Sequence, residues 1–328
     1  NEISALTHAD PVAGEACAIW CIAIDRAVRE ARIDGVWDGV DLLPASSQQR
    51  WAAWLHEAEA RPPATFSPNG YVVTALQAAW AAIRQTPAAS EPRCVHFQRA
   101  LHAAVQVGHD SDTVAAIAGS LLGARWGSTA VPIQWRALLH GWPGYRATDL
   151  IRLAVLTASR GMVDDLGWPT SPDVTEWYVE NYDIQPFAVP LPDDPGVILG
   201  NSVSAMTAEA DVMLSLCRMG TTRAPGVGEV HELMVVDSPR REHNPNLDFV
   251  LRDAATSIAA WRDQGRTVFV HCAAGVSRTS AVAAAYLAQR RGISGLEALA
   301  RVTAAHPVAD PNSGFLEALA RVQPTPAR

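Results

Sequence analysis

Residues 271–280 read HCAAGVSRTS, between an apolar run (TVFV, 267–270) and an alanine-rich run (AVAAAYLAQRR, from 281). The pattern predicts a strand, a loop of small residues and then a helix. Such a loop is an anion cradle. The backbone N–H groups of Ala273, Ala274, Gly275, Val276 and Ser277 point inward, and the helix start adds partial positive charge. Gly275 allows backbone geometry that a Cβ resists. Arg278 supplies a planar fork of donors matched to two oxygens of a phosphate. Cys272 sits at the bottom, where the positive surroundings favour its thiolate. A thiolate facing a bound phosphate is a nucleophile for phosphoryl transfer, and the product of its attack is a phosphocysteine. Thr279 is placed to donate to that thiolate when it leaves. His271 is expected to order the loop and tune the thiol rather than move a proton. The plain alternative is a buried cysteine beside a solvated arginine, which would need none of these offsets together.

The expelled alkoxide or phenoxide needs a proton. Asp237, in VVDSPRREHNP, ends a predicted strand and starts a loop. Parallel strands put their C-terminal ends on one edge, so this loop reaches the cradle. Its carboxyl would protonate the leaving group and then act as general base for water. Glu242 and Asp248, in or just after the same loop, are the alternatives. Asp253 lies inside a predicted helix and is the weakest of the four.

HCAAGVSRT resembles the HCxxGxxR(S/T) signature of cysteine-dependent protein phosphatases of the dual-specificity group. VVDSPRREHNPNL resembles that group's acid loop, and HPVADPNSGFLEAL its closing segment. The resemblance covers about 186–328. It implies metal-free hydrolysis of phosphotyrosine, or of phosphoserine and phosphothreonine as well. The stretch between Asp237 and Asn246 is longer than usual for the group, with PRREH inserted. Arg240, Arg241 and His243 there either help bind an anionic substrate or are solvated loop charges.

A second cluster lies in GHDSDTVAAIAGSLLGARWG (108–127). Asp110, Asp112 and Thr113 crowd oxygen donors at a helix start. Such a set suits a hard cation such as Mg²⁺, and equally suits ordinary helix capping. This stretch, the following VPIQWRALLHGW, the early THADP and GYVVTALQAAW resemble ADP-ribosylglycohydrolases over about 1–160. The resemblance implies an all-α fold and makes Asp110, Asp112 and Thr113 counterparts of ligands to a binuclear Mg²⁺ site. It sets His8 and Tyr71 near ADP-ribose; the alternative for each is a structural role. The family draws its other metal ligands from an N-terminal Thr-Asp-Asp segment, with an early Gly-Asp segment near the same site. Nothing here matches either, so only the second half of that domain is expected. Either the front half lies outside this chain, or the portion is a degenerate docking or regulatory module.

The elements that must position these residues follow from the rest of the chain. It has 328 residues, enough for roughly two domains at about 100–200 each. Hydrophobic residues make up 48% and charged ones 18%, which fits packed cores rather than disorder. A net charge of −8 argues against nucleic-acid and anionic-membrane partners. No apolar run approaches the roughly 20 residues of a membrane span, and no signal peptide is visible. Five cysteines (Cys17, Cys21, Cys94, Cys217 and Cys272), with no CxxC, point to a reducing cytoplasm rather than a disulfide framework. Cys17 and Cys21 share a helix face and are expected to be buried small hydrophobes. The chain opens NEISALTHADP with no initiator methionine, and a fragment or a processed chain is expected.

Helical periodicity runs through the first ~160 residues, with no useful strand alternation. Pro, Asp and Gly then break the pattern, with WYVENYDI between the breaks as a short strand or a helix turn. From ~186, strands and helices alternate. The expected architecture is therefore multidomain. An all-α ADP-ribosylglycohydrolase-like portion at 1–161 and a linker at 162–185 precede an α/β cysteine phosphatase domain at 186–328, whose central sheet is mainly parallel. The expected activity is phosphomonoester hydrolysis, on a phosphorylated protein or a small phosphomonoester, with no cofactor. Mg²⁺ and an ADP-ribosylated substrate enter only through the helical portion. There the alternatives are a Mg²⁺-dependent hydrolase of the intact parent protein and a non-catalytic ADP-ribose-binding or regulatory module.

Overall fold

The structure is a computed structural model and describes residues 2–88 and 92–324. The extreme ends of the first and last sequence segments, residue 1 and residues 325–328, lie outside the described residues. The chain divides into two compact units, Asn1–Val131 and Pro132–Arg328.

The first unit is helical, as its sequence period demands. Its main helices are Pro11–Glu30, Ala45–Ala60, Val72–Gln85, Val95–Val105 and Ser111–Trp126. Pro11 opens the first of these, and the Asp10 carboxylate accepts from the Val12 N–H at 2.9 Å. Val72–Gln85 is the central helix, with every residue from Ala75 to Ile83 buried. Glu15 ties helices together through Ser47, Arg50 and Trp51. Burial would raise its pKa, but hydrogen bonds from Ser47, Trp51 and Arg50 outweigh it and hold the carboxyl below its ordinary value. Cys17 and Cys21 correct the sequence reading, because both are exposed. The buried stripe of their helix runs through Ala13, Ala16, Trp20, Ala23 and Ala27, and each cysteine sits one step beyond it.

The second unit begins before the sequence boundary at 161. Helical periodicity continues through Ala147–Ala158, but the packing partners change at 132. The Ile133 N–H donates to Asp253 Oδ2 at 2.9 Å, Arg136 to the Glu232 carbonyl at 3.1 Å, and Arg152 to Glu232 Oε1 at 3.0 Å. A small antiparallel hairpin, β1 (His140–Gly141) and β2 (Tyr145–Arg146), lies in this stretch and is too short to alternate visibly in sequence. The segment expected as a linker is built in. WYVENYDI forms the helix Thr175–Tyr182, and the Tyr178 hydroxyl donates to the Arg218 carbonyl at 2.9 Å.

Five further strands make the central sheet: β3 (Ala188–Leu191), β4 (Asp194–Asn201), β5 (Ala210–Ser215), β6 (Val227–Glu232) and β7 (Val268–Cys272). Their order is β3-β4-β7-β5-β6, and every pairing except β3 with β4 is parallel. β7 is central and wholly buried, as its continuous apolar run requires. Helices Leu247–Asp263 and Arg278–Arg291 flank β7 in sequence, and Gly295–Ala305 and Ser313–Ala320 close the chain. This is the α/β architecture that the strand–helix alternation implied. The stretch 207–220 contains β5, with a short helix Ser202–Ala205 ahead of it. β6 ends at Glu232; the Leu233 N–H still donates to the Ser215 carbonyl at 2.7 Å, and the Val235 N–H donates back to the Leu233 carbonyl at 2.8 Å on the way to Asp237. Among the described residues, no helix is long and apolar enough to cross a membrane.

Candidate active site

β7 delivers Cys272 to the C-terminal edge of the sheet, and the helix Arg278–Arg291 starts just beyond the loop. Three loop carbonyls are engaged from outside the loop or from the helix behind it. Ala273 O accepts from the Ser202 N–H and hydroxyl, each at 3.0 Å, and Gly275 O from His306 Nε2 at 3.1 Å. Val276 O accepts from the Asp310 N–H at 3.2 Å and the Ser280 hydroxyl at 2.7 Å. With the carbonyls held this way, the Gly275 N–H donates to Cys272 Sγ at 3.3 Å. Gly275 has φ +78°, and a Cβ there would lie 2.4 Å from Phe187 Cζ and 2.7 Å from the Gly200 carbonyl. Phe187 in turn stacks on His306, with ring centroids 4.7 Å apart.

Arg278 is the first residue of its helix and is largely buried. One terminal nitrogen donates to the Leu216 carbonyl at 3.2 Å and the Val235 carbonyl at 3.1 Å. Its Nε lies 3.5 Å from Asp237 Oδ2 but has no hydrogen-bond partner among the described residues. Burial works against its charge; the Cys272 and Cys217 sulfurs and the Asp237 carboxylate outweigh that and raise its pKa.

His271 is fully buried. Burial pulls it down to about 4, so it is a neutral imidazole at pH 7. Its Nδ1 faces the Cys272 carbonyl at 3.4 Å, which puts the ring proton there and lets the Ser215 hydroxyl donate to Nε2 at 2.7 Å. Thr279 Oγ1 is buried and has no hydrogen-bond partner among the described residues. Burial pushes the neighbouring Cys217 up to about 12, so it stays a thiol.

Of the four acidic candidates, Asp237 is the one at the cradle. Its Oδ1 accepts from Ser277 Oγ at 2.9 Å and Asn312 Nδ2 at 2.7 Å. Glu242 is exposed in the turn Arg241–His243 that the inserted PRREH forms. Asp248 is paired with Arg321 at 2.7 Å, and Asp253 holds the Ile133 N–H. Arg240 and Arg241 are exposed beside Asp248, and His243 Nδ1 bonds Ser238 Oγ at 2.8 Å. Sequence reasoning assigned nothing to Asn312, His306, Ser202 or Phe187. Asn312 alone carried a local signal, as an Asn before Ser-Gly-Phe at a helix start. It is that N-cap, accepting from the Gly314 and Phe315 N–H groups.

In the first unit, Thr113 Oγ1 donates to Asp110 Oδ1 at 3.0 Å. Asn69 binds both the Asp110 N–H (2.9 Å) and the Gly108 carbonyl (3.1 Å), which pins the turn before Tyr71 to the turn before Asp110. Tyr71 is half-exposed, and His8 shares a hydrogen bond with Thr7 at the surface. The oxygen donors of Asp110, Asp112 and Thr113 have the right chemistry for Mg²⁺. Among the described residues, however, no group of three acidic, histidine or cysteine side chains gathers to hold a metal. The set present does not make a complete Mg²⁺ site, and no reaction step is derived through one.

Two family models match the chain: ADP-ribosylglycohydrolase at residues 1–167, and dual specificity phosphatase, catalytic domain, at residues 200–324. Dual specificity phosphatase 28 of Mus musculus is 36% identical over 138 residues, spanning 40% of this chain and 82% of that protein. Its Homo sapiens counterpart is 32% identical over 136 residues, spanning 39% and 74%. The crystal structure of human DUSP28 aligns at 29% identity with a TM-score of 0.37, over 43% of this chain and 95% of that one.

Proposed function

The chain belongs to the dual specificity phosphatase family through residues 200–324 and to the ADP-ribosylglycohydrolase family through residues 1–167, and from that premise we propose that its second unit dephosphorylates phosphoproteins through a phosphocysteine on Cys272. The observation that carries this reading is the convergence of three groups from separate elements. They are Cys272 Sγ under the Gly275 N–H, the Arg278 guanidinium pinned to two carbonyls, and Asp237 3.5 Å from that guanidinium.

In this mechanism the loop N–H groups and the free edge of Arg278 hold the three non-bridging phosphate oxygens. Cys272 Sγ attacks phosphorus as the ester P–O bond breaks, and Asp237 gives its proton to the departing oxygen. The Asp237 carboxylate then takes a proton from water. That water's oxygen bonds phosphorus, the S–P bond breaks, and the thiolate leaves with Thr279 Oγ1 free to donate to it. No metal enters these steps. A cytoplasmic setting, where a nucleophilic cysteine stays reduced, suits this chemistry.

The test is hydrolysis of an aryl phosphate in EDTA. Cys272→Ser is expected to abolish turnover while oxyanion binding persists, and Asp237→Asn to lower kcat by about 10²-fold or more. Full turnover by Cys272→Ser, or turnover that requires a divalent cation, would overturn the mechanism.

A second reading rests on the match at 1–167 and the joined turns of Asp110 and Tyr71. It makes the first unit an ADP-ribose-directed module, with Asp110, Asp112 and Thr113 as weak Mg²⁺ ligands. Release of ADP-ribose from a modified protein, lost in EDTA, would support catalysis by it. Saturable ADP-ribose binding without release would make it a binding module.

A further inference from the structure

His306 follows the helix Gly295–Ala305 and is buried. Its N–H donates to the Val302 carbonyl at 2.8 Å, and its own carbonyl accepts from the Ala309 N–H at 2.9 Å. The ring lies against Phe187, 29° from parallel. Backbone and ring are therefore fixed by contacts that involve no phosphate. From that position Nε2 meets the Gly275 carbonyl at 3.1 Å. A carbonyl can only accept, so Nε2 carries the ring proton.

The Gly275 carbonyl shares a peptide plane with the Val276 N–H. That peptide is trans, so the two groups point opposite ways. A carbonyl held outward on His306 therefore turns the Val276 N–H to the other side. Gly275 has φ +78°, the left-handed backbone in which successive N–H groups converge on one anion. Gly275 N–H already points to Cys272 Sγ, and the Val276 N–H has no hydrogen-bond partner among the described residues. The Ala273 and Val276 carbonyls each accept from a backbone N–H, of Ser202 and Asp310. Among the described residues the Gly275 carbonyl is held by a side chain without such a backbone donor.

We propose that His306 is a positioning residue for the phosphate: its hold on the Gly275 carbonyl aims the Val276 N–H at a non-bridging oxygen of the bound group. The inference rests on the phosphatase reading of the Cys272 cradle and adds to it a residue that never touches substrate. A donor aimed in advance stabilises developing charge more than one that must first turn, because nothing has to reorganise as the reaction proceeds.

Two substitutions separate the donor from the packing. His306→Phe keeps a ring on Phe187 and removes the donor. His306→Gln loses the ring but carries an amide nitrogen as many bonds from Cα as Nε2. In the full chain, His306→Phe is expected to lower kcat/KM for p-nitrophenyl phosphate and to raise the competitive inhibition constant of tungstate, each by about tenfold. His306→Gln is expected to recover most of both. A role in packing alone would lower the urea midpoint and leave the tungstate constant at its parental value, and that result overturns the proposal. So does a His306→Gln chain as impaired as His306→Phe. Nitrogen-15 NMR of the parent chain gives a reading that needs neither variant to fold. The Val276 amide proton is expected to move downfield when tungstate binds, and an amide that stays in place overturns the assignment. A parent chain that neither hydrolyses the aryl phosphate nor binds tungstate overturns the phosphatase reading and this proposal with it. Parental turnover that does not respond to His306→Phe overturns this proposal alone.

Discussion

Asn312 Nδ2 donates to Asp237 Oδ1 at 2.7 Å, while Asn312 Oδ1 caps the last helix, Ser313–Ala320. One amide therefore joins the acid loop to an element that contributes no group to the phosphate itself. Ser277, from the cradle, meets the same carboxylate oxygen at 2.9 Å and also accepts from the Asn312 N–H at 3.3 Å. The arrangement leaves Oδ2 as the oxygen facing Arg278.

Capping and positioning by Asn312 separate experimentally. Asp caps helices as well as Asn does, so Asn312→Asp is expected to keep most of the stability that Asn312→Ala loses, about 1 kcal/mol. Yet a second carboxylate beside Asp237 repels it, so both variants are expected to slow turnover. The loss is expected to be about tenfold on phenyl phosphate and smaller on p-nitrophenyl phosphate, whose leaving group needs less help from an acid. Equal losses on both substrates would remove Asn312 from proton transfer.

Gly275→Ala is expected to abolish turnover and lower stability by about 2–4 kcal/mol, read by urea denaturation. Its φ of +78° disfavours a side chain, and the added carbon would meet Phe187 and the Gly200 carbonyl at 2.4 and 2.7 Å. A stable variant with parental kcat would mean that the loop's N–H groups do not need this geometry.

His271 makes the fold acid-sensitive. Its folded pKa is lowered by burial from 6.5 to about 4, so the unfolded chain binds the proton first as pH falls. The stability it contributes is complete above pH 6.5 and is lost between 6.5 and 4, by up to about 3 kcal/mol. Relative to His271→Asn, the parent should lose stability across that window. Parallel stability curves would overturn the assignment of a buried neutral ring.

Glu232 works in the opposite sense. Burial raises its folded pKa from 4.5 to about 7, so the folded chain holds the proton longer. Stability from this group is present below pH 4.5 and is lost as pH rises to about 7. Relative to Glu232→Gln, the parent should lose stability with rising pH, which denaturation at pH 4.5 and 7.5 would read directly. The two windows overlap, so the parent's own profile is expected to be flatter than either difference curve.

The cradle was legible because its parts are contiguous: one strand end, one loop and one helix start carry Cys272 through Thr279. The α/β order of the second unit was legible for a similar reason, since period-2 and period-3.6 segments alternate there. What stayed hidden depends on contacts distant in sequence. Asn312 reaches Asp237 across 75 positions, and His306 reaches the Gly275 carbonyl across 31. The helix Ala147–Ala158 looks like its predecessors in sequence, and it is the engagement of Arg152 with Glu232 and with the Met219 and Gly220 carbonyls that ties it to the second unit. Cys17 and Cys21 misled because a helix face read from spacing alone carries no mark of which side meets the core.

The single nitrogen of Arg278 that holds both the Leu216 and the Val235 carbonyls bears on how this chemistry can be lost. Replacing that arginine removes the phosphate clamp and also orphans two backbone acceptors where β5 and β6 leave the sheet. Replacing Cys272 changes one atom at the foot of the loop. A lineage that gave up turnover but kept the fold as a phosphate-recognition surface would therefore change the thiol, or the Asp237 carboxyl, sooner than the arginine. Descendants of the first kind would carry the arginine unchanged above a serine or another small residue.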